Sequence, residues 1–404
     1  MSALAILIRC DGGAVLGMGH VSRGLALADE LRDAHGSRVI FAMRDPGSAG
    51  VTAVRSSGYT VTPITDRDDA DYGPSLLAQT ASLAARVLVV DVRDALSRAS
   101  LDRVRASGVR VVAIDDGSER RLAADLAFYP PVPQVEEFDW TGFTGARYAG
   151  WEWVVLKREF AAEPGVAHGV GAAHGVGVAH GVGVAHGVGA AHGVGVAHGV
   201  GVAHGVGVAH GVGVAHGVGV AQDFSLAIST HPIDILVTMG GSDPAGMTEF
   251  VLDALNLLPR PMAVQVVIGP AFTRAPALAA IVSRSKHAVR VTQGPDAMAP
   301  LMRESLIAIA SFGVSAYELA ACGVPAVHLC LTADHARSAS AFERERIAQS
   351  LGVFPAVQPA QLADAVAGLL SDPRRRDEMA ARARALVDGR GAKHVADRII
   401  AGLS

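Results

Sequence analysis

Two kinds of segment alternate along the chain. Short runs rich in Val and Ile, "ALAILI", "VIFAM", "YTVTPI", "VLVVD" and "VRVVAID", punctuate the first part. Between them the apolar positions space out as on helices, over Val21–Ala34, Ser75–Ala85 and Ser97–Ser107. Strands that are apolar throughout are buried on both faces. Alternated with helices, they predict a doubly wound parallel sheet. The pattern returns in the last part as "DILVTMG", "AVQVVIG", "AVRVTQ", "LIAIAS" and "AVHLCL", with final helices at Pro359–Leu370 and Pro373–Val387. The expected class is therefore α/β, with two doubly wound parallel-sheet domains facing a cleft. Ligands of such sheets bind beyond the carboxyl ends of the strands. That rule directs attention to Asp11 to His20, Asp91, Asp115, Asp116, Gly240 to Asp243, Gly269, and Ser311 to Ser315.

A third pattern interrupts the second. From Gly165 to Ala221 the unit "VAHGVG" recurs every six residues and holds nine of the sixteen histidines, His168 to His216. Six residues separate neighbouring histidines by roughly 20 Å on a strand and by about 240° on a helix. Neither geometry lets neighbours share a metal ion unless the chain folds back, which weakens the alternative of a metal-binding tract. One glycine in three opposes a helix. The segment reads as an expanded tandem repeat in a surface linker. The expected domains are 1–160, the repeat linker 161–222, and 223–404.

Composition narrows the classes. Half the residues are hydrophobic and 18% are charged, so large cores can form. The formal net charge of −4 gives no basic footprint for nucleic acid. Cys10, Cys322 and Cys330 form no C-x2-C pair, which speaks against a zinc site or a disulfide framework and suits a reducing cytoplasm. "ALAILI" stops at Arg9, too short for a membrane span, so no stable membrane insertion is expected.

Three loops carry chemistry. The first, "RCDGGAVLGMGHVSRG", joins the first strand to its helix. Gly17 and Gly19 permit a tight turn and let a ligand approach backbone N–H groups. His20 stands behind them at the mouth of the helix. Gly17-x-Gly19 could open a dinucleotide fingerprint, but Ser22 stands where the third glycine belongs and Arg44 follows the second strand. No cofactor and no metal are expected. In "TMGGSDPAGM", Gly240 and Gly241 follow a strand, Ser242 or Asp243 can cap the next helix, and Pro244 fits its first turn. Those N–H groups could hold a phosphate, or form an ordinary turn. In "SFGVSAYELAACGVPAVHLCL", Gly313 opens a loop, Ser315 reads as an N-cap, and Glu318 three residues on completes a capping box. The alternative for Glu318 is a carboxylate accepting hydrogen bonds from a ribose.

Taken together these motifs resemble a known group. Arg9, Asp11, Gly17, Gly19, His20 and Arg23, spaced R-x-D-x5-G-x-G-H-x-x-R, look like the pseudaminic-acid-pathway UDP-sugar hydrolases and spore-coat polysaccharide proteins. "GGSDP" and "SFGVSAYELAACGVPA" match the group's second domain, which is similar to the nucleotide-binding half of the peptidoglycan N-acetylglucosaminyltransferase. "GARYAGWEWVVLKREF", ending at Phe160, looks like the stretch that closes the first domain. The resemblance implies a GT-B fold and a UDP-sugar substrate. Glu318 would hold the ribose, and Gly241, Ser242, Gly313, Val314 and Ser315 the diphosphate. Gly17, Gly19, Arg23 and His335 would line the substrate site. His20 would be the base that activates water at the anomeric carbon, with Asp11 orienting it. The chain departs from the group at Leu122, where hydrolase-like members carry histidine, and at His335 and Ala336, where many carry Asn-Gln. The implied activity is hydrolysis of a UDP-sugar in nonulosonic-acid or surface-polysaccharide synthesis; the alternative is a glycosyltransferase of the same fold.

Overall fold

The first sheet contains β1 (Ala5–Cys10), β2 (Arg38–Met43), β3 (Thr60–Pro63), β4 (Val87–Asp91), β5 (Arg110–Ile114), β6 (Leu126–Tyr129) and β7 (Ala146–Ala149). All are parallel, in the order β3-β2-β1-β4-β5-β6-β7. The second sheet contains β8 (Ile233–Thr238), β9 (Ala263–Ile268), β10 (Ala288–Gln293), β11 (Ser305–Ser311), β12 (Ala326–Cys330) and β13 (Ala348–Val353). It is also parallel, in the order β10-β9-β8-β11-β12-β13. Strand order reverses beside β1 in one sheet and beside β8 in the other. The loops leaving those two strands therefore sit at switch points, where such sheets bind ligands.

This computed structural model describes residues 3–13, 16–64, 72–161, 232–269, 272–295 and 297–403. The repeat lies outside the described residues. Both sheets are complete without it, and the described residues belong to one compact unit.

Central strands are buried along their whole length: β1, β4 and β12 expose no residue. That is why they read as unbroken apolar runs. β6, β7 and β13 escape such a reading. β6 and β7 have four residues each, and β7 lies at an edge with exposed Arg147 and Ala149 alternating outward as the sheet ends. β13 is the other sheet's edge and carries Gln349 and Ser350. The helices Ala49–Ser56 and Gly391–Ile400 are also additions to the sequence reading.

The chain crosses between the two sheets twice. Val154, Leu156 and Phe160 pack into the second sheet's core. In return Ala392, Val395, Ala396 and Ile399 of the last helix join the first sheet's core. Arg110 ties this helix down by donating from Nη1 to the Ile399 and Ala401 carbonyls, each at 2.7 Å. A second tie joins Gln134 to Asp334 Oδ1 at 2.9 Å and to Ser338 Oγ at 2.8 Å. An Arg337–Glu137 ion pair lies beside it. These links hold the first sheet's loops against the helices of the second. Among the described residues no helix is long and apolar enough to cross a membrane.

Candidate active site

The loop after β1 turns at Gly17, whose φ of +72° suits glycine, and bonds back on itself through Gly13 N–H to Gly17 O at 3.0 Å. The helix that follows spans Gly19–Asp33. His20 thus sits in its first turn, as expected. Its Nδ1 lies 2.6 Å from Asp91 Oδ1, at the end of β4. Arg23, one turn along, donates from Nε to Asp91 Oδ2 at 2.8 Å and from Nη2 to Oδ1 at 2.7 Å. Burial alone would push the Asp91 carboxyl up; the Arg23 charge and the bonds from His20 and Arg23 outweigh it and hold the group well below the usual range. An ionised carboxylate only accepts, so the shared proton belongs to His20 Nδ1. Arg23 Nη2 also lies 2.9 Å from that nitrogen; there two donors face the same oxygen. The other ring nitrogen, Nε2, has no hydrogen-bond partner among the described residues.

Asp11, expected beside His20, is engaged elsewhere. It accepts from Arg9 Nη2 at 2.5 Å and from the Arg44 N–H at 2.9 Å. Arg9 is fully buried, and its guanidinium must be paired to stay there. It also reaches Asp94 Oδ2 at 2.9 Å and Tyr72 Oη at 2.9 Å. Arg120 links Asp94 at 3.0 Å to Asp116 at 2.9 Å. Arg23, expected to bind substrate, is likewise committed to a carboxylate. Sequence reasoning marked Asp91 by its place at a strand end but missed its partnership with His20, because 71 residues separate the two.

The second sheet's loops are built from backbone. Gly269 crowds Gly241 so closely that a Cβ there would collide with the Gly241 carbonyl. The helix after β8 starts later than expected, at Met247, behind a left-handed Gly246. Pro244 precedes it, and the buried Asp243 accepts from the N–H groups of Met247 at 2.9 Å and Thr248 at 2.8 Å. After β11 the helix runs Val314–Cys322 with Gly313 at its N-cap and no side-chain cap. Ser315 is therefore inside the helix, not its cap, and the capping-box account of Glu318 falls with it. Ser315 instead lies close enough to the Glu318 carboxylate to favour its charged form. Burial raises Glu318 to about 7; nearby Glu159 adds to the shift, while Lys157 and Ser315 oppose it. Gly323, left-handed at φ +69°, ends the helix as read.

The two edges meet. A Cβ added to Gly19 would stand 3.5 Å from Val314 Cγ2. Tyr317, on the same helix as Glu318, lies close enough to Asp115 and Arg23 for their charges to act on its hydroxyl; its value is raised by burial first and by Asp115 second. In front of the Gly241 and Gly313 α-carbons a Cβ would meet nothing within 4 Å. His335 begins the helix Ala333–Arg344, where its N–H is capped by Thr332 Oγ1 at 3.1 Å. Burial lowers its imidazole, Asp334 opposes that, and Arg93 of the first domain adds to it. The fold thus brings Gly19 beside Val314, and Tyr317 within reach of the Arg23 and Asp115 charges, with Glu318 on the same helix as Tyr317.

Two parallel-sheet α/β domains with facing carboxyl edges define the GT-B fold. The crystal structure of MurG from Acinetobacter baumannii superposes over 98% of this chain and 99% of that one, with a TM-score of 0.64 and 14% identity. The Anabaena protein HepE in complex with UDP-glucose covers 99% of both chains, at a TM-score of 0.55 and 14% identity. By sequence the chain is similar to the spore coat polysaccharide biosynthesis protein SpsG of Bacillus subtilis, 29% identical over 160 residues. That match covers 39% of this chain and 47% of SpsG, so the chain spans under half of that relative's length. No family model matches. The chain is a GT-B-fold protein, related to MurG in fold and to SpsG in sequence.

Proposed function

We propose that the protein breaks the bond between the anomeric carbon of a sugar and UDP, with His20 as the base for the incoming hydroxyl. One observation supports this reading: a histidine fixed through Nδ1 by Asp91, its Nε2 without a hydrogen-bond partner among the described residues, next to Gly19, which lies beside Val314 at the start of the Val314–Cys322 helix. In its neutral form the ring offers the Nε2 lone pair. The hydroxyl oxygen bonds the anomeric carbon, its proton passes to Nε2, and UDP leaves with the electron pair of the broken C–O bond. UDP is the stable leaving group, and a helix N-terminus favours the negative charge its phosphates carry. Gly241 and Gly313 leave their N–H groups approachable, and Glu318 faces the ribose.

The hydroxyl is that of a sugar acceptor. A transfer reading fits a GT-B protein similar to one named for polysaccharide biosynthesis, whereas hydrolysis rests on motif resemblance from which Leu122 and His335 depart. Release of UDP from a UDP-sugar panel decides. Release that needs an added acceptor supports transfer, release in water alone supports hydrolysis, and tight UDP-sugar binding with neither removes the enzyme reading.

A further inference from the structure

Asp115 follows β5 and is one of four non-glycine residues with positive φ among the described residues, at +52°. An L residue is disfavoured there, and such strain persists where the surroundings enforce it. Here the enforcement is visible: its N–H donates to the Phe128 carbonyl at 2.8 Å, continuing the β5–β6 ladder past the last paired residue. The next residue, Asp116, turns inward to Arg120 and Ser118. Asp115 is left pointing the other way, its side chain 25% exposed.

No hydrogen-bond donor among the described residues reaches its carboxylate. The nearest cation is Arg23 Nη1 at 3.7 Å, beyond hydrogen-bond range, and Arg23 already spends two donors on Asp91. Tyr317 of the second domain lies near enough for the Asp115 charge to act on its hydroxyl. Burial raises the carboxyl, Arg23 opposes that, and Asp91 adds to it. So the backbone holds a carboxylate with free acceptor capacity in an unfavourable conformation, beside the His20–Asp91–Arg23 set. Purely structural carboxylates nearby look different: Asp11, Asp94 and Asp116 are each consumed by buried guanidiniums.

We propose that Asp115 is a specificity-determining residue that accepts hydrogen bonds from hydroxyl or amide N–H groups of the sugar moiety while the nucleotide is held by the second domain. This rests on the nucleotide-sugar reading above. A carboxylate grips vicinal hydroxyls through charge-assisted bonds. It gives the first domain a hold on the sugar that the backbone-lined second domain lacks.

The test separates grip from scaffold. Asn and Gly both tolerate positive φ better than most residues. Asp115→Asn and Asp115→Gly in the full chain are titrated calorimetrically with UDP, UDP-glucose and UDP-N-acetylglucosamine, and their melting temperatures measured. The expected result is UDP affinity within twofold of the parent, a fivefold or greater loss for whichever UDP-sugar the parent binds better than UDP, and melting at or above the parent. Unchanged affinity for that UDP-sugar overturns the proposal and leaves the nucleotide-sugar reading standing. Parallel loss for UDP and UDP-sugar with lower melting makes Asp115 a scaffold residue and also overturns it. A parent protein that binds none of the three ligands, or binds no UDP-sugar more tightly than UDP, overturns it as well; the first of these results removes the nucleotide-sugar reading too.

Discussion

The carboxyl edges of the two sheets are built from opposite materials. The first edge is dense in paired charge: His20, Arg23, Asp91 and Asp115 on one side, and Arg9, Asp11, Asp94, Asp116 and Arg120 behind them. The second presents glycine backbone at Gly241, Gly269 and Gly313 with the half-buried Glu318. The same topology supports both because only the loops differ. A side-chain network at low dielectric fixes ring orientation and proton position, which chemistry needs. Bare backbone lets an anion come close, which binding needs. Under the proposed function, turnover falls to the first edge and nucleotide affinity to the second.

Substitutions can break that assignment. The largest effect is expected at His20. His20→Asn should lower turnover by about 10²–10⁴-fold and leave UDP affinity within about twofold; near-normal turnover would sink the division of labour. Next comes Asp91→Ala, which strands the part-buried Arg23 guanidinium and frees the His20 ring. A loss of about 3–5 kcal/mol in unfolding free energy is expected, measured by denaturant melts, together with slow turnover. If stability falls and the rate holds, Asp91 serves the fold alone.

Glu318 sharpens the other side. Glu318→Gln should cost UDP about 1.5–3 kcal/mol of affinity by calorimetry. The same substitution should help the empty protein. The folded carboxyl sits at about 7, above its ordinary 4.5, so the folded state holds a proton the unfolded state has released. Its contribution is therefore intact below 4.5 and lost as pH rises through 7. At pH 8 the glutamine variant should be more stable by about 1–3 kcal/mol. Equal stability at pH 5 and pH 8 in both proteins would contradict this.

The smallest effect lies beneath the second edge. His328, on β12, is buried between Phe312 and Phe342, and neither ring nitrogen has a partner among the described residues. Burial lowers it from 6.5 to about 4. The stability this represents is present above 6.5 and is lost as pH falls toward 4, where the ring must charge. His328→Phe should flatten that acid limb and stabilise by about 1 kcal/mol near neutrality. An unchanged acid limb would assign the loss to other groups.

The α/β class, the two-sheet plan and the glycine-bearing loops after the strands are legible in local sequence. Central strands such as β1, β4 and β12 are buried on both faces, so local composition alone reveals them. A glycine pair ahead of His20 and the Gly313 turn are equally local signals. Edge strands β7 and β13 escaped because an edge relaxes the demand for apolar residues. Only the tertiary structure decided which charges meet. Asp91 rather than Asp11 holds His20, Arg23 is spent on carboxylates, and Ser315 is no cap. Those pairings join residues from different strands, and burial makes each charge take whatever opposite charge the fold brings within reach. Spacing along the chain carries no record of that choice.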